Sequence, residues 1–371
     1  MKTVEELLGL APRSAGPVQP AASGSVSFSF LFFSDVRADI SNREKYEFTR
    51  DVTLFGDREG FTAVYLPERH FFEYGSVFAN SAVVAAYLIP QTRRIRFRTA
   101  GISLPLHHPV EVVEAWAMND ILSNGRVDLG FGSGWQEKDF ILSPGTYESR
   151  REVCNERIPI VQKLWRGETV DFEGPRGEQI PIRVFPRPIQ QELRVWLLAV
   201  QNDAAFIYAG KQGYNVFTML SGLDLDAMGK KFALYRKARE EAGHDPRTGI
   251  VSLMLHTFIH ESKAAVEDAV KQPFKAYIRS FLDAHVESGL GRSKGVDDIG
   301  ESEKAKMLEY AYHRYSKTAA LFGTVEEVRE TIDHAIQVGV NDIACLVDFG
   351  VDYAMVKASF PHLKRLVSAY L

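Results

Sequence analysis

Cysteine is scarce in this chain, with Cys154 and Cys345 the only two among 371 residues. Their surroundings have the patterns of a helix and a strand, and no set of cysteines and histidines has the spacing of a zinc site. We therefore expect neither a disulfide framework nor a metal centre. So few cysteines fit a protein of the reducing cytoplasm.

Long apolar runs and an excess of positive charge are also missing. The longest apolar runs, such as residues 81–90, are too short to span a membrane, and the N-terminus lacks the basic and then apolar pattern of a secretory signal. The formal net charge is −4 and the lysines and arginines are scattered, which argues against a nucleic-acid-binding surface. We therefore expect a cytoplasmic protein that binds neither membranes nor nucleic acid.

The chain has no dinucleotide fingerprint and no P-loop. Its densest glycine run is Gly130-Phe131-Gly132-Ser133-Gly134-Trp135, in which Trp135 stands where the last glycine of Gly-x-Gly-x-x-Gly belongs. The backbone N–H groups of such a run suit an anion or a flat aromatic ring. A tight turn explains the run equally well, so the run alone identifies no ligand.

From Val26 onward, short apolar runs alternate regularly with amphipathic stretches. Hydrophobic residues make up 45% and charged residues 25% of the chain, enough for a substantial core. Strands are expected at 26–33, 62–66, 95–100, 127–131, 194–200, 215–220, 250–260 and 342–347. Helices are expected at 44–60, 77–89, 109–124, 148–166, 202–212, 224–242, 261–284 and 352–370. This alternation predicts a single α/β domain over 26–371, folded as a closed (β/α)8 TIM barrel.

Three segments fall outside this repeat. Residues 1–25 are expected to be a flexible N-terminal tail or linker, because their Pro/Ala/Gly/Ser stretch cannot bury a core; a docking element for a partner is the alternative. Residues 169–190, rich in proline and glycine, are expected to form an inserted hairpin after the fourth helix. Residues 285–323 form a longer insertion near the seventh strand, which is either a lid or a plain surface excursion.

Three ionisable side chains stand side by side at the end of the second expected strand, as Glu68-Arg69-His70. In barrels of this kind, catalytic groups collect just past the carboxyl ends of the strands. An imidazole there can deliver or remove a proton near neutral pH. The alternative is an ion pair between Glu68 and Arg69, with His70 hydrogen-bonded to backbone. The position at a strand end favours the catalytic role.

Two further strand ends carry candidate site residues. The third leads into the small pair Ala100-Gly101, which lets a planar ligand approach the backbone, and then into His107-His108-Pro109. A helix is expected to begin at Pro109, so one of these histidines can be merely its cap. The fifth ends at Gln201-Asn202-Asp203, where the N-terminus of the next helix offers either a phosphate site or a simple cap.

Taken in this order, the motifs resemble those of the bacterial luciferase-like flavin monooxygenases, from about Ser27 to the C-terminus. The resemblance is strongest from Val64 to Trp165. Five motifs look more narrowly like the subgroup encoded beside, or fused into, polyketide and non-ribosomal peptide assembly lines of natural product biosynthesis. They are Leu66-Pro67-Glu68-Arg69-His70-Phe71, Leu104-Pro105-Leu106-His107-His108-Pro109, Gly125-Arg126-Val127, Ser133-Gly134-Trp135 and Leu164-Trp165-Arg166-Gly167-Glu168.

This resemblance implies a two-component, flavin-dependent monooxygenase. Relatives bind reduced FMN (FMNH2) that a separate NAD(P)H:flavin reductase supplies, and they use O2 through a C4a-peroxyflavin. The implied reaction is hydroxylation or Baeyer–Villiger-type oxygen insertion on a biosynthetic intermediate, either a small molecule or an acyl-carrier-bound substrate. Many relatives are dimers, so a homodimer is expected.

The resemblance also implies where the cofactor binds. The isoalloxazine is expected near Ala100–Gly101, a peptide bond that is often cis in relatives. The phosphate is expected near Ser133 and the helix start at Gln201-Asn202-Asp203. Gly132, Gly134 and Trp135 complete the expected cofactor site.

The expected catalytic side chains are Glu68, Arg69, His70, His107 and His108. Arg69 and His70 are expected over the flavin edge, where Arg69 stabilises an anion and His70 manages proton transfer. A dry wall around them is expected from Trp135 and from Phe71, Phe72 and Phe131. In the candidate lid, Arg314 is expected to reach an anionic group.

Several residues depart from the family pattern. Luciferase itself has Glu-His-His where this chain has Glu68-Arg69-His70, which argues against luminescent aldehyde oxidation. Gln136 stands where the subgroup usually has histidine, and Gln201 where it has glycine, which leaves the substrate scope open. Two alternatives also stay open: an F420-dependent oxidoreductase on the same barrel, and a flavin-storing or partner-binding barrel without turnover.

Overall fold

Eight parallel strands close into a barrel. The computed structural model describes residues 26–33, 37–71, 76–287 and 300–370. Its strands are β1 (Ser27–Leu31), β2 (Ala63–Leu66), β3 (Arg96–Thr99), β4 (Ile102–Ser103), β5 (Val127–Gly132), β6 (Val170–Glu173), β7 (Gln179–Ile182), β8 (Val195–Leu198), β9 (Asn215–Met219), β10 (Val251–Ile259), β11 (Ala320–Gly323) and β12 (Asp342–Leu346). The barrel runs β12-β1-β2-β3-β5-β8-β9-β10, and β10 pairs back onto β12. The predicted (β/α)8 TIM barrel is confirmed.

Helices cover the outside of this barrel. Seven of them fall in the predicted segments, with ends shifted by up to four residues: Asn42–Glu59, Ser81–Leu88, Pro109–Ser123, Arg150–Arg166, Asp203–Lys211, Leu225–Glu241 and Lys263–Glu287. The second begins late because Asn80, which accepts the Val83 N–H, is its cap. Short 3-10 turns lie at Ser76–Phe78, Ile89–Gln91, Leu104–Leu106 and Glu137–Leu142. No helix in the described ranges is long and apolar enough to cross a membrane.

The C-terminal part of the chain differs from the prediction in two places. The expected helix at 352–370 is two helices, Tyr353–Ala358 and Phe360–Ser368, because Pro361 has no N–H to continue the first one. The helix Val325–Gln337 was not predicted. Its capping box, in which the Thr324 side chain and Glu327 bond each other's backbone N–H groups, is a sequence signal that was missed.

Two insertions interrupt the repeat where they were predicted. Between the fourth barrel helix and β8, the strands β6 and β7 pair antiparallel as a hairpin. Near the seventh strand, the described part of 285–323 contains the helix Glu301–Thr318 and then β11, which pairs parallel with the end of β10. The strand β11 was not expected. The lid role stays a prediction, and the proposed tail at 1–25 lies outside the described residues.

Charged side chains fill the N-terminal half of the barrel interior. The buried Arg98 guanidinium donates to Asp128 over 2.8 Å and to Asp342 over 3.2 Å. The Tyr65 hydroxyl lies 2.9 Å from the Asp342 carboxylate and 2.7 Å from the Ser252 hydroxyl. Buried charges are costly unless each is paired, and here they satisfy one another across β2, β3, β5 and β12. The opposite end of the barrel, where the strands end, holds the candidate site.

Candidate active site

A buried carboxylate joins two histidines just past the ends of β2 and β3. The Nε2 atom of His70 lies 3.1 Å from Glu68 Oε1, and the Nε2 atom of His107 lies 3.0 Å from each Glu68 oxygen. The Glu68 side chain is 5% exposed, whereas those of His70 and His107 are 14% and 24% exposed. Two residues predicted from one strand end and one from the next thus share a single hydrogen-bonded cluster, here called the Glu68 cluster.

The Glu68 cluster favours the charged forms of Glu68 and His107. Burial alone raises the pKa of Glu68, but the hydrogen bonds from His107 and His70 outweigh burial, so the pKa lies below its ordinary value. For His107, burial lowers the pKa, and the hydrogen bond and charge of Glu68 reverse this, so the pKa lies above its ordinary value. A cationic imidazole beside a carboxylate can donate a proton to a group bound next to it.

His108 does not belong to the Glu68 cluster, against the prediction that it is catalytic. It caps the helix Pro109–Ser123, accepting the Val110 N–H at Nδ1 over 3.3 Å. Its ring lies 4.9 Å from that of Phe172 on the inserted hairpin. Burial and, to a smaller degree, the charge of Arg157 lower its pKa. Of the two neighbouring histidines, His108 therefore caps the helix and His107 joins the Glu68 cluster, while a catalytic role for either stays a prediction.

The Arg69 guanidinium lies near two aromatic rings. Its guanidinium carbon is 4.1 Å from the centre of the Phe33 ring and 5.9 Å from that of the Trp135 ring. The structure therefore brings Arg69 and Trp135 together, as the motifs predicted. The expected dry wall stays a prediction: Phe131 is fully buried on β5, Phe71 is 55% exposed with a φ of +60°, and Phe72 lies outside the described residues.

Small residues form a floor between β3, β5 and β8. A Cβ atom on Gly101 would lie 3.3 Å from the Leu198 side chain, and one on Gly132 would lie 3.4 Å from it. The cis peptide in the described residues is Phe185–Pro186, so the Ala100–Gly101 bond is trans and that expectation was wrong. Gly101 instead turns the backbone with a φ of +123°, a conformation that glycine adopts without strain.

The remaining predicted cofactor residues lie at neighbouring strand ends. Gly134 has a φ of +76°, and a Cβ there would lie 3.0 Å from the Phe140 ring. Ser133 is half-buried between Gly132 and Gly134. The positive φ at Gly134 suits glycine, and a cofactor contact at these positions stays a prediction.

The helix Asp203–Lys211 begins as expected. Asn202 is its cap and accepts the Ala204 N–H over 3.0 Å. The Gln201 side chain donates to the Ser221 carbonyl over 2.6 Å, and Lys231 donates to the Gln201 carbonyl and pairs with Asp203. The cap interpretation is therefore confirmed, and a phosphate site at this helix start stays a prediction. Arg314, in the helix Glu301–Thr318, is half-buried, and its role also stays a prediction.

Asp139 is a residue that sequence reasoning missed. It lies on the 3-10 turn Glu137–Leu142, it is 6% exposed, and its Oδ1 atom is buried with no hydrogen-bond partner. Burial raises its pKa to about 6, although the nearby charges of His70 and Arg69 act in the opposite direction. A carboxyl group that titrates near pH 6 beside the Glu68 cluster is suited to proton transfer. No motif marks it in the sequence.

The Glu68 cluster also has the composition of a metal site, which sequence spacing did not indicate. One ligand atom from each of Glu68, His70 and His107 lies within 4.8 Å of the others. The separations between the carboxylate and the two imidazoles are ordinary hydrogen-bond lengths, so the three groups satisfy one another without an ion.

The fold and the site define a (β/α)8-barrel protein with a buried carboxylate–histidine cluster where its strands end. The model of the luciferase-like monooxygenase family matches residues 26–342, and the chain belongs to this family. The predicted family, and with it the prediction of an enzyme, is confirmed.

Curated relatives match over most of the chain. The oxygenase component of the flavin-dependent trigonelline monooxygenase of Acinetobacter baylyi is 23% identical over 343 residues, 91% of this chain and 92% of the relative. The alkanal monooxygenase alpha chain of Photorhabdus luminescens is 25% identical over 303 residues, 77% of this chain and 80% of the relative.

Solved structures share the fold. Monooxygenase RslO1 from Streptomyces bottropensis has a TM-score of 0.77 and 22% identity, covering 93% of this chain and 100% of its own. The oxygenating constituent of 3,6-diketocamphane monooxygenase from Pseudomonas putida, in complex with FMN, has a TM-score of 0.74 and 17% identity, covering 94% and 99%. An F420-dependent secondary alcohol dehydrogenase has a TM-score of 0.69 and 14% identity, covering 94% and 100%. At these identities, the likeness supports the fold alone.

Proposed function

We propose that this protein is an FMNH2-dependent monooxygenase that uses O2 to oxygenate a small-molecule or carrier-bound substrate. The observation that carries the proposal is the Glu68 cluster, which holds a carboxylate and two imidazoles at the barrel end where this fold places its chemistry. The reaction needs one oxygen atom for the substrate and two electrons and two protons to reduce the other to water. The electrons would come from reduced flavin.

The floor between β3, β5 and β8 fits a flat ring. Gly101 and Gly132 present backbone without side chains, and Leu198 packs against both. The Ala100 N–H donates to the Leu66 carbonyl over 2.8 Å, which holds the ends of β2 and β3 together. A ring bound on the floor would therefore lie beside the Glu68 cluster. The phosphate of FMN would lie near Ser133 and the helix start capped by Asn202. Bound reduced flavin supplies the electrons that activate O2.

The side chains around this floor have separate tasks in the proposed reaction. Arg69 holds negative charge that develops on oxygen or on the substrate, and the neighbouring Phe33 and Trp135 rings keep water away. His70 passes a proton to or from the reacting group. Glu68 orients both imidazoles and keeps His107 charged, as its raised pKa indicates. Asp139 supplies a second group that exchanges protons near pH 6.

The proposed partners are a flavin reductase and a second copy of the chain. The curated Acinetobacter relative is named as an oxygenase component, which supports a separate NAD(P)H:flavin reductase here. Two neighbouring helices expose large apolar side chains, with Val83 65%, Met118 49% and Leu122 63% exposed. Apolar residues exposed together in this way are typical of an interface, which supports a homodimer.

Cofactor binding tests the proposal first. Anaerobic titration with FMNH2 and with reduced F420 should give tight binding of FMNH2 alone; tight binding of F420 without FMNH2 contradicts the monooxygenase. The second arm supplies a flavin reductase, NADH and 18O2, and follows by mass spectrometry whether free or carrier-bound acyl substrates gain one labelled oxygen. Flavin binding with no product from any substrate favours the barrel without turnover.

Variants at Arg69 and His70 link this chemistry to the site. Arg69→Ala and His70→Gln should lower product formation per O2 consumed by at least about tenfold and leave FMNH2 affinity unchanged. Arg151→Ala, at an exposed position on the helix Arg150–Arg166, is the matched control and should behave as the wild type. Full coupled turnover in both site variants contradicts the assignment.

A further inference from the structure

A further histidine lies inside the same end of the barrel, on β10. The hydroxyl of Ser252 hydrogen-bonds Tyr65 and Trp196 inside the barrel, so Ser252 faces inward. Side chains two and four residues further along a strand face the same way, which places Met254 and then His256 inside, nearer the end of the strand. His256 pairs in register with Leu346 of β12 and with Ala320 of β11.

Aromatic rings enclose His256. The ring centres of Phe274, Tyr277, Tyr315 and Phe349 lie 5.0, 4.9, 5.9 and 5.6 Å from that of the imidazole, each nearly perpendicular to it. This group is here called the His256 chamber. His256 is 3% exposed, and its Nε2 atom is buried without a hydrogen-bond partner. Buried polar atoms are almost always paired, so an orphaned ring nitrogen needs an explanation.

The His256 chamber adjoins the proposed site. Asp348, the residue before Phe349, accepts the Phe33 N–H over 3.1 Å. The Phe33 ring in turn lies against the Arg69 guanidinium. A short chain of contacts therefore links the chamber to the Glu68 cluster across the ends of β12, β1 and β2.

We propose that the His256 chamber is the substrate-recognition pocket, where aromatic rings hold an uncharged, aromatic or alicyclic part of the substrate and His256 Nε2 hydrogen-bonds a carbonyl or hydroxyl on it. The inference rests on the proposed function and deepens it by naming the substrate class. Tyr315, the one half-buried ring of the four, is the ring whose displacement admits the substrate.

The chemistry of the chamber selects against a charged group. The four enclosing side chains are Phe and Tyr, which provide apolar faces and no cation to pair with a carboxylate. Burial also lowers the pKa of His256 to about 3, so the imidazole stays neutral and does not provide the missing positive charge. A neutral imidazole offers one N–H and one lone pair, which suits a carbonyl or a hydroxyl.

Three probes of one shape test the inference: acetophenone, α-methylstyrene and benzoate. The second replaces the carbonyl oxygen by CH2, and the third replaces the methyl ketone by a carboxylate. Calorimetry on the full chain, with and without FMN, should show acetophenone binding that His256→Phe weakens about tenfold. α-Methylstyrene should bind the wild type and His256→Phe equally, and benzoate should bind neither.

Thr218→Val is the matched control. The Oγ1 atom of Thr218 is also buried without a partner, but the neighbouring Phe217 ring stacks on Tyr65 inside the barrel, so Thr218 faces outward. Both variants remove an orphaned polar atom and should raise thermal stability, while only His256→Phe should change acetophenone binding. Any of three results overturns the inference: the two variants change acetophenone affinity equally, the wild type binds benzoate as well as acetophenone, or acetophenone fails to bind at millimolar concentration.

Failure of the monooxygenase assignment and failure of the recognition pocket give different experimental results. If FMNH2 does not bind, the monooxygenase assignment fails, but the difference between acetophenone and α-methylstyrene can still be measured on the flavin-free protein. If FMNH2 binds and labelled oxygen is transferred but His256→Phe leaves ligand affinity unchanged, the monooxygenase stands and the recognition pocket lies elsewhere.

Discussion

His107 and His256 lie at the same end of one barrel and respond to burial in opposite ways. His107 has Glu68 within 3.0 Å, and the carboxylate raises its pKa against the effect of burial. His256 has aromatic rings around it, and burial lowers its pKa to about 3. A buried histidine is therefore charged when a carboxylate is buried beside it, and it stays neutral when its neighbours are apolar.

This difference divides the barrel end into two regions. The Glu68 cluster, with Arg69 and Asp139 beside it, gathers ionisable groups. The His256 chamber gathers rings around one neutral polar atom. An oxygenase needs both, because proton transfer requires charge and a reactive oxygen intermediate requires a place without water.

The largest expected effect comes from removing the countercharge. Glu68→Gln keeps the shape of the side chain but not its charge, so burial should then lower the pKa of His107 below its ordinary value. Coupled turnover should fall by roughly 100-fold or more, the scale of lost general acid–base catalysis. The measurements are product formed per O2 consumed and an NMR titration of the histidines.

Glu114→Gln, exposed on the helix Pro109–Ser123, is the control for the loss of one negative charge nearby and should leave both measurements unchanged. Coupled turnover of Glu68→Gln within a few-fold of the wild type would show that the Glu68 cluster is structural.

His107 and His256 should also change the free energy of unfolding in opposite directions as the pH falls. The raised pKa of His107 contributes stability that is present below its ordinary pKa near 6.5 and is lost as the pH rises through the folded-state pKa. His107→Gln should therefore cost more free energy of unfolding at pH 6 than at pH 9. The lowered pKa of His256 costs stability as the pH falls from 6.5 towards 3.

His256→Phe removes this cost, and its advantage over the wild type should grow as the pH falls from 7, by about 2 kcal/mol at pH 5. Urea unfolding of both variants between pH 5 and 9 provides the comparison. Parallel pH profiles for the two variants would contradict the proposed difference between the regions.

Asp139 should give a smaller effect within the charged region. Its pKa of about 6 is raised by burial, so its contribution to stability is present below its ordinary pKa near 3.8 and is lost as the pH rises through about 6. Asp139→Asn should remove this part of the pH dependence between about pH 4 and 6, which urea unfolding measures. Asp171→Asn, exposed on the inserted hairpin, should keep the wild-type profile.

The smallest effect is expected from metal removal. The Glu68 cluster has the donor set of a metal site, but its hydrogen bonds already satisfy the carboxylate. Prolonged dialysis against EDTA should therefore leave FMNH2 binding and turnover unchanged. A loss of turnover that Zn2+ or Fe2+ restores would instead assign an ion to Glu68, His70 and His107.

Local signals sufficed for most of the fold and part of the site. The eight strands and seven of the barrel helices follow from apolar periodicity, because the spacing of apolar residues within each element shows which of its faces is buried. Glu68, His70 and His107 were found because they stand next to strand ends. The sequence did not show that His107 and His108 have different contacts. Which of them caps the helix and which contacts Glu68, 39 or 40 residues away, depends on the folded backbone. The trans bond at Ala100–Gly101 was not foreseen, because a cis bond is often found in relatives and no local sequence signal distinguishes the two forms.

The sequence by itself determined the barrel, its insertions, the family and the strand end that bears Glu68, Arg69 and His70, because these depend on patterns within a few tens of residues. Only the tertiary structure decided that His107 joins Glu68, that Asp139 is buried with a raised pKa, and that His256 is orphaned among rings from three different segments. The physical reason is that the charge state of a group depends on burial and on neighbours distant in the chain, and closing the barrel is what brings them together.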